Sequence, residues 1–376
     1  SIFLISVALG YSVLGAEQPN IVLVFIDDMG YGDIGPFGSQ INKTPNLDRM
    51  AAEGRTMTSF YVASPVCTPS RAALMTGCYP QRVGLEKGSG HIVLFPGDPH
   101  GLHPNEITIA ETLKAAGYAT GCFGKWHLGD QPQFLPTSRG FDTYFGIPYS
   151  NDMWPALKRF QCPDLPLVRD TKVVDIVKDM DDQATLCRRF TEEATAFIRK
   201  HKEQPFFVYL PHAFVHGPRQ ASPEFMAPGK TVEQAQVEED ATTPHDRFFY
   251  QQGGELTAVR SGNWKLFTKG ELYNLETDIA ETTNVAQSNP EIVRKLNAML
   301  EEFQANIAAN SRPVGLAENP RTLVPRPGVE GDEGARRRMR RTSETGPSRI
   351  GASWGTTRKG CWATPSSWTH RSTTSG

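Results

Sequence analysis

The chain has 376 residues, of which 39% are hydrophobic and 21% charged, and its formal net charge at pH 7 is −2. This is the composition of a globular protein with room for one large domain or two smaller ones. The near-neutral charge excludes the strong positive field of many nucleic-acid-binding proteins, so we expect no nucleic-acid partner. The six cysteines have no CxxC spacing, which excludes a zinc ribbon and a dense disulfide scaffold but leaves one or two disulfides open.

The first sixteen residues differ from the rest. Residues 2–15 form an uncharged apolar run, and Ala16 is followed by the polar residues Glu17 and Gln18. This run has the length and the small-residue exit of a secretory signal, and it is too short to span a membrane comfortably. We therefore predict a signal-peptide remnant over 1–16, an exported protein (periplasmic, extracellular or in a lysosome-like compartment) and no stable membrane span. The alternative is a first buried strand.

The middle of the chain alternates strands with helices. Residues 20–26 are a near-continuous apolar and β-branched run, which predicts a strand buried on both faces. The other predicted elements are strands over 118–123 and 206–210 and helices over 44–54, 68–77, 107–116 and 182–201. This order is typical of an α/β fold with a doubly wound, mostly parallel sheet, in which ligands bind at the carboxyl ends of the strands.

Beyond residue 210 the pattern changes. Two short apolar runs around a Ser-Gly-Asn turn predict a hairpin over 256–267, and an apolar stripe at helical spacing predicts a helix from Ser288 or Asn289. Together they indicate a smaller C-terminal subdomain, an antiparallel sheet plus a helix. The predicted organisation is a signal remnant over 1–16, an incomplete main domain over 17–228, a polar junction over 229–244, the subdomain over 245–308 and a disordered tail over 309–376.

Two adjacent carboxylates, Asp27 and Asp28, follow the first predicted strand. Such a pair repels itself unless a cation lies between the two groups, and oxygen ligands suit Ca²⁺ or Mg²⁺. The pair therefore indicates a metal site at the carboxyl edge of the sheet. The alternative is a solvated loop at the end of a strand.

A second group of residues surrounds Cys67. Thr68 is predicted to cap a helix whose first residue is Pro69, so Cys67 lies at a helix N-terminus, where free N–H groups favour an anion. Arg71 lies one helical turn further on and can reach back toward residue 67. A nucleophile, a cation and a helix dipole then converge on one point, which suits a sulfate or phosphate group. The alternative is a buried structural cysteine.

A resemblance to a known family begins at this helix. The segment from Cys67 to Arg71 (CTPSR) resembles the C-x-P-x-R signature of the type I sulfatases, an arylsulfatase-like family of the alkaline-phosphatase-like superfamily. The other matching segments are 20–33, 44–51, 72–77 and 117–129, the last of which (GYATGCFGKWHLG) resembles the second signature of the family. The resemblance covers residues 20–226 and 245–305.

The resemblance implies a nucleophile that is made after translation. Cys67 would be oxidised by a formylglycine-generating system, and the hydrate of the resulting formylglycine would attack the sulfur of a sulfate ester. Asp27, Asp28 and residue 67 would bind Ca²⁺, or Mg²⁺ in its place. The expected substrate is a sulfated small molecule or glycan.

The same resemblance implies roles for five further residues. Arg71 would hold the hydrate and Lys125 would bind a sulfate oxygen as a compact cation. His127 would act as a base in the step that releases sulfate. His216 is the expected acid for the leaving group and a substrate contact, and Ser150 is a further substrate contact.

Part of the family pattern is missing. The family needs an Asp-Asn-Gly metal motif after a later core strand and then a second active-site lysine, and neither is recognisable in this sequence. The sequence also predicts three clear parallel strands, fewer than the roughly five to six of an average sheet. We therefore hypothesise that a core segment has been lost at the polar stretch 227–244.

Two alternative functions stay open on the sequence. The site suits any tetrahedral oxyanion, so the protein is alternatively a phosphate or phosphonate monoester hydrolase of the same superfamily. A third interpretation is a non-catalytic sulfatase-like protein that binds sulfated glycans or persists as a fragment.

Overall fold

A computed structural model describes residues 18–58, 60–156, 161–226, 247–252, 255–261, 263–278 and 281–324. The predicted signal remnant over 1–16, the polar junction over 229–244 and residues 325–376 of the predicted tail lie outside these ranges.

The elements follow the predicted alternation, with additional strands. The helices are α1 (Pro45–Glu53), α2 (Cys67–Thr76), α3 (Ile109–Ala115), α4 (Met180–His201) and α5 (Pro290–Asn310). The strands are β1 (Ile21–Phe25), β2 (His100–Gly101), β3 (Ala119–Lys125), β4 (Thr143–Ile147), β5 (Leu165–Arg169), β6 (Lys172–Val177), β7 (Phe206–Pro211), β8 (Arg247–Gln252), β9 (Glu255–Ser261), β10 (Trp264–Phe267), β11 (Leu272–Asn274) and β12 (Gly315–Leu316). Short 3₁₀ helices span Tyr31–Asp33, Gly35–Phe37, Pro80–Arg82, Pro132–Phe134, Pro136–Ser138 and Pro223–Phe225.

The main sheet contains six described strands in the order β1-β7-β3-β4-β5-β6. The first four are parallel, and β5 and β6 add an antiparallel edge. α4 packs on one face of this sheet, and α2 and α3 pack on the other. The predicted α/β fold with a doubly wound, mostly parallel sheet is therefore confirmed.

The expectation of three parallel strands is wrong by one, because β4 was not predicted. The antiparallel strands β5 and β6 were not predicted either. β4 is short and is interrupted by Gly146, and β5 contains Pro166, and both residue types weaken a strand pattern. β6 begins with three exposed residues and lies at the sheet edge, so it lacks the continuous apolar run of a buried strand.

β7 occupies the interior of the sheet, between β1 and β3. Phe207 and Tyr209 pack in the core with α2 and α3, and Val208 and Leu210 pack in the core with α4. This alternation is the two-residue period of a strand with helices on both faces. All residues of β7 are buried, as its apolar sequence predicts.

A glycine is required where β3 passes the end of β7. Gly124 has a φ of 139°, and a Cβ at this position would lie 2.0 Å from the carbonyl oxygen of Pro211. Both the backbone conformation and the close approach exclude a side chain. The close approach brings the last residue of β3, Lys125, next to the end of β7.

β1 lies at the opposite edge of the sheet from β6. The carbonyl of Phe25 accepts from the N–H of His212 (2.8 Å), so the odd-numbered peptide groups of β1 face β7. The peptide groups of Val22 and Val24 therefore point to the other side, where the described residues provide no neighbouring strand. Val22 is 49% exposed, and no residue of β1 is fully buried. The prediction of a strand buried on both faces is confirmed in part, because Val24 packs against the core on one face and Leu23 and Phe25 on the other, although none of them is fully buried.

The C-terminal residues form the predicted antiparallel sheet and helix. The sheet order is β11-β10-β9-β8. Leu296 and Leu300 of α5 pack against Val259, Leu266 and Leu272 of the sheet, which gives this part of the chain its own small core. The domain boundaries themselves stay a prediction.

The predicted disordered tail begins later than expected. β12 pairs with β2 of the main domain, and Arg312 forms an ion pair with Glu106 (Nε to Oε1, 2.6 Å). Disorder from residue 309 is therefore wrong for residues 309–324. This stretch has no apolar periodicity, and its order comes from strand pairing and an ion pair that no local pattern predicts.

Candidate functional site

The carboxyl ends of β1, β7 and β3 lie side by side, because these are neighbouring parallel strands. Asp27 follows β1, His212 follows β7 directly, and Lys125 is the last residue of β3. Arg71 of α2 donates hydrogen bonds to all three of these residues. The structure therefore brings together four residues that are far apart in the sequence, at the edge where the fold predicts a ligand site.

α2 begins at Cys67, two residues before the predicted first residue Pro69, and its N-cap is Val66. Thr68 does not cap the helix, and its Oγ1 instead accepts a hydrogen bond from the N–H of Leu94 (3.2 Å). Cys67 is therefore the first helical residue, a half-buried free thiol whose N–H belongs to the unpaired donors of the helix terminus. Gly77 ends the helix in the left-handed conformation, as predicted.

Arg71 is completely buried. Its Nη2 donates to Asp27 Oδ2 (2.9 Å) and to the carbonyl of His212 (3.1 Å), and its Nη1 donates to the carbonyl of Lys125 (2.7 Å). The Phe25 ring lies 5.3 Å from the guanidinium carbon. A buried guanidinium needs such acceptors to offset the loss of water, and these acceptors fix its orientation beneath the first turn of α2.

Asp27 is shared between two cations. Its Oδ2 accepts from Lys125 Nζ (2.5 Å) as well as from Arg71, and Lys125 Nζ also donates to Ser150 Oγ (3.0 Å). Burial alone would raise the pKa of Asp27, but the charges of Lys125 and Arg71 outweigh burial and hold that pKa well below its usual value. Asp27, Arg71 and Lys125, which we call the cationic cluster, thus combine one negative and two positive charges.

His127 lies beside the first turn of α2. Its Nε2 is 2.9 Å from the carbonyl of Leu94, whose own N–H donates to Thr68. Because a carbonyl can only accept, Nε2 carries the proton and Nδ1 has the free lone pair. Nδ1 is buried and has no hydrogen-bond partner among the described residues. Burial, and then the charge of Lys125, lowers the pKa of His127 to about 3, so the ring is neutral at physiological pH.

Asp28 and His216 lie on the exposed side of the site. The side chain of Asp28 is 58% exposed, and its Oδ2 is 4.0 Å from His216 Nε2. His216 Nδ1 is 2.7 Å from the carbonyl of Gly217, to which it donates, so Nε2 is the ring atom directed toward Asp28. Asp28 and His127 both have positive φ angles (65° and 59°), a conformation that is uncommon outside glycine and that clusters at functional sites.

Sequence reasoning missed the groups that orient Arg71. His212 contributes its backbone carbonyl, and its ring Nδ1 lies 3.3 Å from Cys187 Sγ on α4. Burial, and then the charge of Arg71, lowers the pKa of His212 to about 4. Tyr209 is also fully buried next to Arg71, and burial raises the pKa of Tyr209. A backbone carbonyl has no side-chain pattern in the sequence. The end of the predicted strand 206–210 was the available indication that a backbone group lies at the site.

The described residues do not fit a Ca²⁺ site. Ca²⁺ takes six to eight oxygen ligands, whereas Asp27 and Asp28 are two carboxylates, and one of them already accepts from two cations. No cluster of three or more His, Cys, Asp or Glu side chains in the described ranges has the geometry to hold a metal ion. The metal ligands implied by the resemblance (Asp27, Asp28 and residue 67) thus do not complete a coordination shell by themselves.

Comparison with known proteins finds similarity to sulfatases. The family model described as "Sulfatase" matches residues 19–307. The chain is 41% identical over 237 residues to the N-acetylgalactosamine-6-sulfatase of Sus scrofa, a match that covers 60% of this chain and 45% of that protein. It is 39% identical over 241 residues to the arylsulfatase A of Bos taurus, a match that covers 60% of this chain and 46% of that protein. The chain thus spans about half the length of the curated relatives it matches.

Solved structures agree on the fold. The PsFucS1 sulfatase from Pseudoalteromonas sp. superposes with a TM-score of 0.69 at 17% identity, over 80% of this chain and 92% of that one. A protein solved in complex with its substrate, D-glucosamine-2-N,6-O-disulfate, superposes with a TM-score of 0.55 at 14% identity, over 78% and 99%. At these identities the likeness concerns the fold alone.

Proposed function

The chain belongs to the sulfatase family, and on that premise we propose that it hydrolyses sulfate esters, with residue 67, oxidised from cysteine to formylglycine, as the nucleophile. The curated relatives are named sulfatases, which are sulfuric ester hydrolases. The observation that carries the proposal is that two buried cations, Arg71 and Lys125, share Asp27, and that Arg71 lies one helical turn after residue 67. Such a group favours the negative charge of a sulfate group and of its transition state.

The surroundings of residue 67 fit a formylglycine. When formed, this group supplies through its hydrate an oxygen nucleophile that a thiol lacks. Cys67 is half-buried at the first position of α2, where N–H groups are free to face an anion. His127 Nδ1 is a buried acceptor without a partner in the described ranges, as the proposed base for a hydroxyl group on residue 67 requires.

The remaining residues have separate roles in this proposal. Lys125 binds a sulfate oxygen, and Arg71 holds the hydrate on residue 67. Ser150, which accepts from the Lys125 ammonium, is a further substrate contact. His127 is neutral and accepts a proton at Nδ1 when sulfate is released. His216 donates to the Gly217 carbonyl from Nδ1, so it acts as the acid when Nε2 is protonated as well, and the Nε2 proton then passes to the departing alcohol. We assign Ca²⁺ no role in this reaction, because the described residues do not complete its ligand set.

The proposal includes a substrate class and a compartment. Relatives named for N-acetylgalactosamine-6-sulfate and a structural neighbour solved with a disulfated glucosamine favour a sulfated glycan or a related small molecule. The apolar run over 2–15 favours export. A formylglycine-generating system is the required partner. In the described ranges, no helix has the length and apolar character of a membrane span.

The hypothesis of a lost core segment stays part of the proposal. The sequence lacks the Asp-Asn-Gly motif and the second lysine of the family, and β1 has an open edge at which the described residues provide no strand. If the segment is needed for turnover, this chain retains the fold and binds sulfate esters, but it hydrolyses them slowly or not at all.

Mass spectrometry of the peptide that contains residue 67 tests the proposed nucleophile. The chain is co-expressed with a formylglycine-generating system, and Cys67→Ser, made in the same cells, is the matched control. The expected result is an aldehyde at residue 67 that reacts with a hydrazide probe in the native chain. An unmodified cysteine in a folded, co-expressed chain would remove the formylglycine mechanism.

A further inference from the structure

The inference concerns the place beside Asp27 where a metal ion would have to bind. Asp27 Oδ2 accepts from Lys125 Nζ at 2.5 Å and from Arg71 Nη2 at 2.9 Å. The side chains of Lys125 and Arg71 are inaccessible to solvent, and that of Asp27 is 8% exposed. One carboxylate oxygen is therefore already occupied by two cationic donors that solvent does not screen.

A divalent cation at this oxygen would meet strong repulsion. Arg71 and Lys125 lie within hydrogen-bond distance of the atom that a metal would coordinate. A metal could bind there only if Lys125 moved away from Asp27. Among the described side chains, Lys125 would then keep its contact with Ser150 alone. Buried like charges at short range disfavour each other much more than they would in water.

The second carboxylate does not compensate for this repulsion. Asp28 is 58% exposed and is directed toward His216, 4.0 Å away. Solvent-exposed carboxylates hold cations weakly, because water competes for them and salt screens them. Within the described ranges no third His, Cys, Asp or Glu joins these two carboxylates in a metal-binding cluster.

From this ligand chemistry we infer that the chain binds its sulfate group without a divalent metal, with the Lys125 ammonium next to Asp27 in the position that a metal would take. The inference rests on the proposed function. Lys125 and Arg71 leave one positive charge after Asp27 is neutralised, and the first turn of α2 adds free N–H donors. On this inference the remaining positive charge and the N–H groups of α2 hold the sulfate group in place of an added cation.

Isothermal titration calorimetry of the purified full-length chain with inorganic sulfate tests this inference. The titration is made after dialysis against EDTA and repeated in the presence of Ca²⁺. The expected dissociation constant for sulfate changes by less than about twofold between the two conditions. A separate titration with Ca²⁺ alone is expected to show no saturable binding below about 0.1 mM, the range of weak protein sites.

Two variants test whether Lys125 is the group that binds sulfate. Lys125→Met should weaken sulfate binding by about tenfold or more, because a charge-assisted contact is lost. Lys269→Met, which removes an exposed lysine paired with Glu271 in the C-terminal sheet, is the matched control and should leave sulfate binding unchanged. Thermal unfolding of both variants separates lost binding from lost fold, and the EDTA comparison on the unaltered chain needs no variant.

The outcomes also separate this inference from the proposed function. Sulfate binding that disappears in EDTA and returns with Ca²⁺, or micromolar Ca²⁺ binding, would overturn the inference and leave the proposed hydrolase intact. An absence of sulfate binding in both conditions would overturn it as well. Metal-free sulfate binding in a chain that turns over no sulfate ester would support the inference and remove the proposed function.

Discussion

The two sides of the site are built differently. On one side, which we call the closed wall, Arg71, Lys125, His127 and Ser150 are almost fully buried and are held by β3, β4, α2 and the Leu94 backbone. On the other side, the open wall, Asp28 and His216 are partly exposed, and no other described strand pairs with the outer edge of β1. Both walls meet at Asp27, which is ion-paired to the closed one.

The difference shows which part of the chemistry this chain can support by itself. The closed wall holds the two cations and the neutral histidine in fixed positions, as binding of a sulfate group requires. Among the described residues the open wall offers one solvated carboxylate, Asp28, and one histidine, His216, whereas Ca²⁺ takes six to eight oxygen ligands. Substitutions on each side test whether the two walls differ in this way.

The largest effect is expected at the centre of the closed wall. Arg71→Met should lower the free energy of unfolding by roughly 3–5 kcal/mol, because it leaves buried Asp27 and two carbonyls without a donor they now have. Urea unfolding measures this change. The matched control is Arg49→Met, which removes an exposed ion pair with Glu53 and should cost less than about 0.5 kcal/mol. Equal costs at the two positions would contradict a closed wall organised by Arg71.

The next effect is a dependence of stability on pH. The pKa of His212 is about 4 in the folded chain, below its ordinary value of 6.5. Between these values the unfolded chain binds more protons than the folded one, so stability falls as pH falls from about 6.5 toward 4. This residue alone should cost about 2 kcal/mol at pH 5 relative to pH 7.

Urea unfolding at pH 7 and pH 5 checks the assignment. In His212→Gln the loss between the two pH values should shrink by about that 2 kcal/mol. A His212→Gln variant with the same pH dependence as the unaltered chain would show that His212 does not contribute to this loss of stability.

The smallest effect on stability is expected at the open wall. Val22→Lys should change the free energy of unfolding by less than about 0.5 kcal/mol, because Val22 is 49% exposed. A lysine on an edge strand discourages pairing with other chains, so the variant should also self-associate less in sedimentation velocity. Val208→Ala in the fully buried β7 is the contrasting change and should cost about 2 kcal/mol. Similar costs at Val22 and Val208 would contradict an open edge at β1.

Three of the six described strands of the main sheet, β1, β3 and β7, could be predicted from the sequence. β3, predicted over 118–123, contains Thr120 and Gly121, whereas residues 206–210 are a continuous apolar run and correspond to β7. β1 has the same pattern, yet it lies at an edge, because apolar character reports what a strand can bury and not which neighbours it has. β4 and β5 were missed because Gly146 and Pro166 interrupt them.

The candidate site was predictable where side chains form motifs, and not where the backbone does the positioning. Cys67, Arg71, Lys125 and His127 lie in two recognisable segments of the sequence. The carbonyls of His212 and Leu94 that fix Arg71 and His127 have no residue preference, so only the tertiary structure could identify them. The roles assigned to the site residues stay predictions.

Turnover of 4-nitrophenyl sulfate tests the central claim most directly. The chain, co-expressed with a formylglycine-generating system, should release 4-nitrophenol from the sulfate ester faster than from 4-nitrophenyl phosphate. Cys67→Ala made in the same cells should show no turnover of the sulfate ester above buffer. Equal rates for the unaltered chain and Cys67→Ala, or a preference for the phosphate ester, would contradict a sulfatase that acts through residue 67.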